Sequence, residues 1–237
     1  HPPAFARAAG RGGTKGAMNM EYRELCWESF ARKDHFSYFS SVQNPYVGVT
    51  VETDIGELPR LCRETGTPFF LTVLYAVSRA ANAVPQLRQR IVNGRPVEFD
   101  RCDTSHTVLR PDGTYGYCRL REDAPFEEFL LYARPLHEAA KHSEGLKEED
   151  DLLGCFFVSS LPWISFSSLV QPTPTPADSN PRIVLGKYVQ NGLRWSMPVA
   201  VLANHALVDG VHLAAFYDAL AAGLSGLEDA LRGKNKN

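Results

Sequence analysis

The residues with the clearest chemical potential in this chain are the six from His205 to Gly210, which read HALVDG. They follow a strand-like apolar run from Met197 to Ala203. A histidine at the end of a strand can accept a proton near pH 7 as a neutral imidazole. Asp209 can hold a buried cation that fixes the turn, and Gly210 lets the backbone approach a substrate closely. The pattern is typical of a general base for acyl transfer, although an ordinary loop histidine also fits His205 alone.

Two further segments carry groups that could assist such a base. Ser159 and Ser160 end a strand-like run before Leu161-Pro162-Trp163, and a hydroxyl at a strand end can donate to a developing oxyanion. The same hydroxyls could instead satisfy backbone groups of the turn. The segment from Arg32 to Phe36 (RKDHF) lies in an expected N-terminal helix and, on its own, indicates a solvated charged face.

Strands must position these groups, and three dipeptides predict hairpin turns between them: Asn93-Gly94, Asp112-Gly113 and Asn191-Gly192. The paired runs are 88–92 with 96–99, 105–109 with 115–120, and 182–189 with 193–203. Residues 44–51 and 155–160 are further β-rich runs. The Pro/Thr-rich stretch 171–181 is predicted to be a loop.

Helical patterns alternate with these strands. They cover 27–40, 55–64 with Asp54 as the N-cap, 69–84, 126–142 and 211–224. In the last of them Leu213, Phe216, Leu220 and Leu224 recur at spacings of three and four. The mixture predicts an α/β two-layer sandwich, in which helices cover a mixed, mostly antiparallel sheet.

Composition narrows the class of protein. The chain has 237 residues, of which 44% are hydrophobic and 22% charged, with a net charge of -2. This size supports one sizeable core, and the balanced charge gives no strong field for nucleic acid or an anionic membrane. The five cysteines, scattered and without CxxC spacing, indicate reduced and mostly buried thiols of a cytoplasmic protein without zinc. No apolar stretch approaches the length of a membrane-spanning helix.

The expected domain organisation is simple. Residues 1–18, rich in Gly, Ala and Arg and without an apolar run, are interpreted as a leader left after a purification tag rather than a secretory signal. Residues 19–232 are predicted to form a single domain. Residues 233–237 are predicted to be a frayed tail.

Taken together and in this order, the three motifs resemble those of the chloramphenicol acetyltransferase family. Members carry an early Arg-Lys/Arg-Glu-His-Phe, a middle Ser-Ala-x-Pro-Trp-x-x-Phe and a late His-x-x-x-Asp-Gly. Here these read RKDHF at 32–36, SSLPWISF at 159–166 and HALVDG at 205–210. A further match is GKY at 186–188, and the resemblance runs from about Tyr22 to Leu231.

The resemblance implies the reaction and the main roles. His205 would be the general base that activates an acceptor hydroxyl for direct attack on acetyl-CoA, without an acyl-enzyme. Ser159 would stabilise the tetrahedral oxyanion. Asp209 would pair with Arg32 as a buried structural pair, with Gly210 supporting the turn. The family also implies a homotrimer whose active sites lie at subunit boundaries.

The resemblance also implies the substrate contacts. Acetyl-CoA would be a co-substrate, with no permanently bound cofactor and no metal. Its candidate contacts are Lys187, Tyr188 and Trp163. The candidate acceptor pocket comprises Tyr38, Phe39, His106, Leu169, Gln171 and Leu185, with Thr173 nearby. Histidine at position 106 and polar groups at 171 and 173 make this pocket more polar than the family usually has.

Two other positions depart from the family pattern. Asn204 stands where a second histidine is common, and Pro68 replaces a lysine that could help to hold the phosphates of CoA. Three functions therefore remain open. The first is acetylation of chloramphenicol, and the second is the same chemistry on another small hydroxyl acceptor. The third is a catalytically silent ligand-binding protein on the same scaffold. A dihydrolipoamide acyltransferase core fits less well, because it usually has Asp-His-Arg around this histidine.

Overall fold

The computed structural model describes residues 21–144 and 151–234. The strands in these ranges are β1 Tyr22–Glu24, β2 Tyr46–Gly56, β3 Gln89–Val92, β4 Arg95–Phe99, β5 Asp103–Leu109, β6 Tyr115–Leu120, β7 Cys155–Leu161, β8 Arg182–Gly186, β9 Val189–Asn191 and β10 Arg194–Asn204. The α-helices are α1 Lys33–Ser40, α2 Leu58–Thr65, α3 Phe69–Ala83, α4 Phe126–Ala140 and α5 Gly210–Lys234. The predicted leader at 1–18 lies outside the described residues.

One large sheet organises the molecule. Its strand order is β2-β10-β8-β7-β5-β6, with β9 paired to β10 beside this path. β7 runs parallel to both β5 and β8, and the other pairs are antiparallel. A separate three-stranded sheet has the order β1-β4-β3. The predicted mixed, mostly antiparallel sheet covered by helices is confirmed.

The helical layer follows from the apolar periodicity. α5 packs against α3, α2 and β2, and α4 packs against β6 and α3. The predicted stripe on α5, formed by Leu213, Phe216, Leu220 and Leu224, is buried along its whole length. Burying about four such side chains stabilises the fold by several kcal/mol. The apolar spacing in the sequence therefore agrees with the packing of this helix.

The three predicted hairpin turns are all present. Asn93 and Gly94 have φ values of 51° and 72°, so both central residues adopt the left-handed conformation that a two-residue turn of this kind needs. β5 pairs with β6 across Asp112-Gly113, and β9 pairs with β10 across Asn191-Gly192. The second and third of these turns lie in the large sheet, whose strands carry the candidate site.

Two local predictions were wrong. Asp54 does not cap a helix, because β2 continues to Gly56 in its ladder with β10, and α2 begins only at Leu58. The Asp54 carboxylate instead accepts hydrogen bonds from the Gly56 amide (2.8 Å) and the Arg194 guanidinium (2.9 Å). The helix expected over 27–40 is split into a short 3-10 turn at Trp27–Ser29 and α1.

The C-terminal helix and the cysteines can also be compared with the sequence predictions. α5 extends to Lys234, so the first two residues of the expected tail are helical, and 235–237 lie outside the described residues. All five cysteines are free, and Cys26 alone among them is exposed, which agrees with the expected buried thiols. No helix in the described ranges is both long and apolar enough to cross a bilayer.

Candidate functional site

A tight turn carries His205 from the end of β10 to the start of α5. The His205 amide donates to the Pro45 carbonyl at 2.7 Å, which fixes the turn to the residue before β2. The Asn204 side chain donates to the Asp178 carbonyl at 2.9 Å and accepts from the Ala206 amide at 3.0 Å. Asn204, the departure from the family pattern, therefore holds the turn from both sides.

The imidazole of His205 is held by two contacts. Its Nδ1 lies 2.8 Å from the Val208 carbonyl oxygen, and its ring stacks on Phe39 with centroids 3.9 Å apart and planes 16° apart. A carbonyl oxygen can only accept, so Nδ1 must carry a hydrogen. In the neutral ring Nε2 then keeps its lone pair, and a group placed there can lose a proton to it.

Arg32 contacts both ends of this turn. One guanidinium nitrogen pairs with the Asp209 carboxylate, and Nη2 donates to the His205 carbonyl at 3.0 Å. Partial burial alone would raise the pKa of Asp209, but the hydrogen bond and charge of Arg32, with smaller contributions from His212 and the Val211 amide, lower it. The predicted pairing of these two residues is present, although the Asp209 side chain is 30% exposed and the pair is only half-buried.

Three other histidines, His212, His106 and His35, lie in different surroundings from His205. His212 accepts the Asp209 amide on its Nδ1 at 3.1 Å, and burial lowers its pKa. His106 is fully buried, its Nε2 lies 3.0 Å from the His137 Nδ1, and burial lowers its pKa to about 3. His35 is exposed on α1. Within the described residues, none of these three rings donates a hydrogen bond from Nδ1 to a backbone carbonyl, as the ring of His205 does.

Ser159 lies on β7 and lines a cavity of about 610 Å³ on the sheet face that α3 and α4 do not cover. Leu169, Gln171 and Thr173 of the following loop line the same cavity. Ser105 and Thr107 of β5 add two more hydroxyl groups. Three of the residues predicted near the acceptor therefore share a cavity with Ser159.

Within one chain, His205 and Ser159 are far apart. Ser159 pairs with Val184, and Val184 pairs with Ala200, so two strand spacings separate β7 from β10. His205 lies five residues beyond Ala200 along β10 and its turn. Strand geometry gives about 10 Å across the sheet and about 17 Å along it. One chain does not bring the two groups to a common reactant.

The other residues predicted for the acceptor pocket lie in two separate places. Phe39 lies against His205, and Tyr38 packs edge-on against Phe39 but is 66% exposed. His106 and Leu185 point from the sheet to the helix-covered side, because alternate residues of a strand face opposite ways. These two residues therefore do not line the cavity around Ser159.

A second cavity, of about 280 Å³, lies on the helix-covered side of β7 and β8. Lys187 and Tyr188, both predicted as CoA contacts, line it together with Ser160 and Leu185. The Lys187 amide donates to the Ile164 carbonyl at 2.9 Å, which ties this strand end to the Leu-Pro-Trp turn. Trp163 is 61% exposed and is not among the side chains that line this cavity.

The sequence did not reveal the part played by Asp178. Its carboxylate accepts hydrogen bonds from the Tyr46 hydroxyl (3.0 Å) and the Arg182 guanidinium (2.8 Å), while its carbonyl accepts from Asn204. The residue sits in the Pro/Thr-rich loop, where no periodicity marks it. In the described ranges, no group of three or more His, Cys, Asp or Glu side chains is placed to hold a metal ion.

Comparison with known proteins gives consistent results. The family model for chloramphenicol acetyltransferase matches residues 20–221. Chloramphenicol acetyltransferase 2 of Escherichia coli is 27% identical over 208 residues, which cover 85% of this chain and 96% of that protein. A solved chloramphenicol acetyltransferase structure superposes with a TM-score of 0.80 at 28% identity and covers 86% of this chain and 100% of that chain.

A more distant solved structure shares the fold. A probable dihydrolipoamide acetyltransferase from Listeria monocytogenes 4b F2365 superposes with a TM-score of 0.60 at 18% identity, covering 81% of this chain and 89% of that chain. The same layered arrangement of sheet and helices is therefore found beyond close relatives.

Proposed function

The chain belongs to the chloramphenicol acetyltransferase family, and we propose that it transfers the acetyl group of acetyl-CoA to a hydroxyl group of chloramphenicol. The observation that carries the proposal is the hydrogen bond between Nδ1 of His205 and the Val208 carbonyl, because it leaves Nε2 as the base. An imidazole held in this way is prepared for proton transfer before the substrates arrive.

The proposed reaction is direct. Nε2 of His205 takes the proton of the acceptor hydroxyl as its oxygen forms a bond to the thioester carbonyl carbon. The Ser159 hydroxyl donates to the resulting oxyanion, a contribution of about 3 kcal/mol in comparable sites. The carbonyl then re-forms, the C–S bond breaks, and the imidazolium returns its proton to the departing CoA sulfur. Neither His205 nor Ser159 forms a covalent bond.

A complete site requires two copies of the chain. His205 and Ser159 lie two strands and five residues apart in one chain, yet both are needed at one tetrahedral centre. We therefore place the active sites at the subunit boundaries of a homotrimer. Phe39 and Tyr38 of the subunit that gives His205 would face Leu169 and Gln171 of its neighbour, and together they would form the acceptor pocket.

Release of free CoA from acetyl-CoA, measured with a thiol reagent, tests the reaction. We expect release to depend on chloramphenicol and to fall by at least about 1,000-fold in His205→Ala with unchanged folding. His35→Ala, which changes an exposed histidine on α1, is the matched control and should retain activity. Full activity in His205→Ala would reject the mechanism.

A second acceptor class is favoured by one observation. Gln171, Thr173, Ser105 and Thr107 place polar groups in the cavity that Ser159 lines. A polar wall favours an acceptor that can pair with it, because unpaired polar groups are costly to desolvate. A panel of small hydroxyl compounds in the same CoA-release assay distinguishes this case. Chloramphenicol binding without turnover of any acceptor would instead indicate a silent binding protein.

A further inference from the structure

A series of hydrogen bonds links the Pro/Thr-rich loop to the turn that carries His205. It runs from the carboxylate of Asp178 through the carbonyl of the same residue to Asn204, and from Asn204 into the turn. Tyr46 is the cross-strand partner of Asn204 in the β2–β10 ladder, so its bond to Asp178 holds the loop against the strand that ends at His205. No step of the proposed reaction uses these contacts.

Asn204 organises the turn by accepting hydrogen bonds from three of its backbone amides. The side-chain oxygen accepts from Ala206 at 3.0 Å, and the backbone carbonyl accepts from Leu207 at 3.1 Å and Val208 at 3.0 Å. The carbonyl of Val208 is in turn the partner of Nδ1 of His205. The position of Asn204 therefore determines where the acceptor of the His205 hydrogen lies.

Asp178 sets the orientation of the Asn204 side chain. A carbonyl can only accept, so the NH2 group of Asn204 must face the Asp178 carbonyl, which lies 2.9 Å away, and the amide oxygen faces Ala206. Asn204 is buried, and moving the Asp178 carbonyl away would leave a buried donor unpaired. The side chain of Asn204 is therefore held in one orientation.

Asp178 is itself fixed at its amide and at its carboxylate. The amide donates to the Tyr46 hydroxyl at 2.9 Å, and the same hydroxyl donates to Oδ1 at 3.0 Å. Burial, together with the charge of Asp178, raises the pKa of Tyr46 to about 12, so the hydroxyl keeps its hydrogen. The Arg182 guanidinium donates to both carboxylate oxygens, at 2.8 and 2.7 Å, and lies over the Phe157 ring. These contacts hold the Asp178 carbonyl in the direction of Asn204.

We propose that Asp178 is a positioning residue for the base: it fixes Asn204 and, through the turn, keeps the hydrogen of the neutral His205 ring on Nδ1. The inference rests on the proposed function, because this tautomer matters when Nε2 takes a proton. A neutral imidazole has two tautomers, and the bond that one nitrogen makes selects between them. If the turn could shift, a fraction of the rings would present a hydrogen at Nε2 and could not act as a base.

NMR of the chain labelled with 15N in its histidine rings tests the assignment without any substrate. The signals of His205 are identified by their loss in His205→Ala. At a pH where the ring is neutral, we expect a protonated Nδ1 and an unprotonated Nε2 in the native chain. In Asp178→Ala both signals should move toward the average of the two tautomers. Asp178→Asn keeps an oxygen for Tyr46 and Arg182 and should resemble the native chain.

Steady-state kinetics gives a second readout. Asp178→Ala should lower kcat about ten- to a hundredfold and leave the KM for acetyl-CoA unchanged, because a misplaced base slows the reaction without weakening donor binding. Asn204→Ala should have a similar effect, and the double variant should lose little more, because both residues act through the same contacts. A change confined to the KM for the acceptor would contradict the inference, since Asp178 would then act only as a wall of the cavity around Ser159.

Asp54→Ala is the matched control. Asp54 also pairs with an arginine and accepts a backbone amide, but it lies opposite Ser196, eight residues before Asn204 on β10. It should leave kcat and the His205 signals unchanged. If Asp178→Ala does not fold, Tyr46→Phe removes one bond to the carboxylate and should give a smaller movement of the signals in the same direction.

The two proposals fail in different ways. His205 signals that stay in their native positions in a folded Asp178→Ala, or in Tyr46→Phe where that variant replaces it, would overturn the positioning role. A native chain that shows the expected tautomer and responds to Asp178→Ala, but acetylates no acceptor, would support the positioning role and count against the proposed function.

Discussion

At the scale of single residues, the proposed chemistry depends on which ring nitrogen of His205 carries the proton. The Val208 carbonyl assigns it to Nδ1 of His205, and the stacked ring of Phe39 restricts rotation of the imidazole. The motif predicted a base at this position. It could not predict the backbone acceptor, because the direction of the Val208 carbonyl depends on the turn and not on the identity of its side chain.

The Arg32–Asp209 pair gives a stability prediction. Asp209→Ala leaves Arg32 with the His205 carbonyl as its remaining partner in the site, and we expect a loss of about 2 kcal/mol, because the pair is half-buried. For a chain of this size that corresponds to a fall of about 6 °C in Tm. Thermal unfolding measures it, and activity should fall as well, since the turn carries His205.

The pH dependence of this effect has a defined sign. The pKa of Asp209, which partial burial would raise, is lowered overall by Arg32, so the pair stabilises the fold above the ordinary aspartate pKa near 4. The stabilisation disappears as pH falls through the folded value. The difference in Tm between the native chain and Asp209→Ala should therefore shrink in acid. A difference that grows in acid would contradict this role.

At the scale of elements, the sequence predicts the elements that local patterns determine and misses those that depend on long-range strand pairing. The hairpins and α3 follow from turn residues and apolar spacing, so the sequence predicts them. Asp54 illustrates the limit, because it has the side chain of an N-cap but belongs to a strand that β10 extends through pairing. The three-stranded sheet was not predicted, since β1 joins β4 across more than seventy residues.

Gly186 at the end of β8 gives an element-scale prediction. A Cβ there would lie 2.4 Å from Pro198 Cγ and 2.7 Å from Phe166 Cε1, so Gly186→Ala must move the strand end or the loop that carries Phe166. We expect a loss of about 1–3 kcal/mol in stability. The KM for acetyl-CoA should also rise, because Lys187 is the next residue. Unfolding and steady-state kinetics measure both effects.

Gly226→Ala is the matched control for this substitution. Gly226 is exposed within α5, and a methyl group added to it would have no neighbour within 4 Å outside its own helix turn, so alanine should stabilise the helix by about 0.5–1 kcal/mol. If both substitutions had the same effect on the KM for acetyl-CoA, the close packing around Gly186 would not be what positions Lys187.

At the scale of the whole molecule, one chain does not bring all three motifs together. The sequence resemblance groups Arg32, Ser159 and His205, and the fold joins the first to the third while leaving Ser159 two strands away. A single sequence contains no pattern that says which of its surfaces meet in another copy. The assembly therefore has to be tested directly.

Mixing two inactive variants tests the shared site. His205→Ala still supplies Ser159, and Ser159→Ala still supplies His205, so a boundary formed by one of each can be complete. Random co-assembly at equal amounts should restore about a quarter of native activity, because each of the two contributing subunits has about an even chance of being the right variant. A native chain mixed in equal amount with a variant that carries both His205→Ala and Ser159→Ala should leave about a quarter of all sites complete, rather than the half expected if each chain formed its own site. Activity can be read by CoA release, and the assembly should have three times the 26.3 kDa chain mass in light scattering. Without any recovery in co-assembled samples, a site divided between subunits would be ruled out, and His205 and Ser159 would have to act apart.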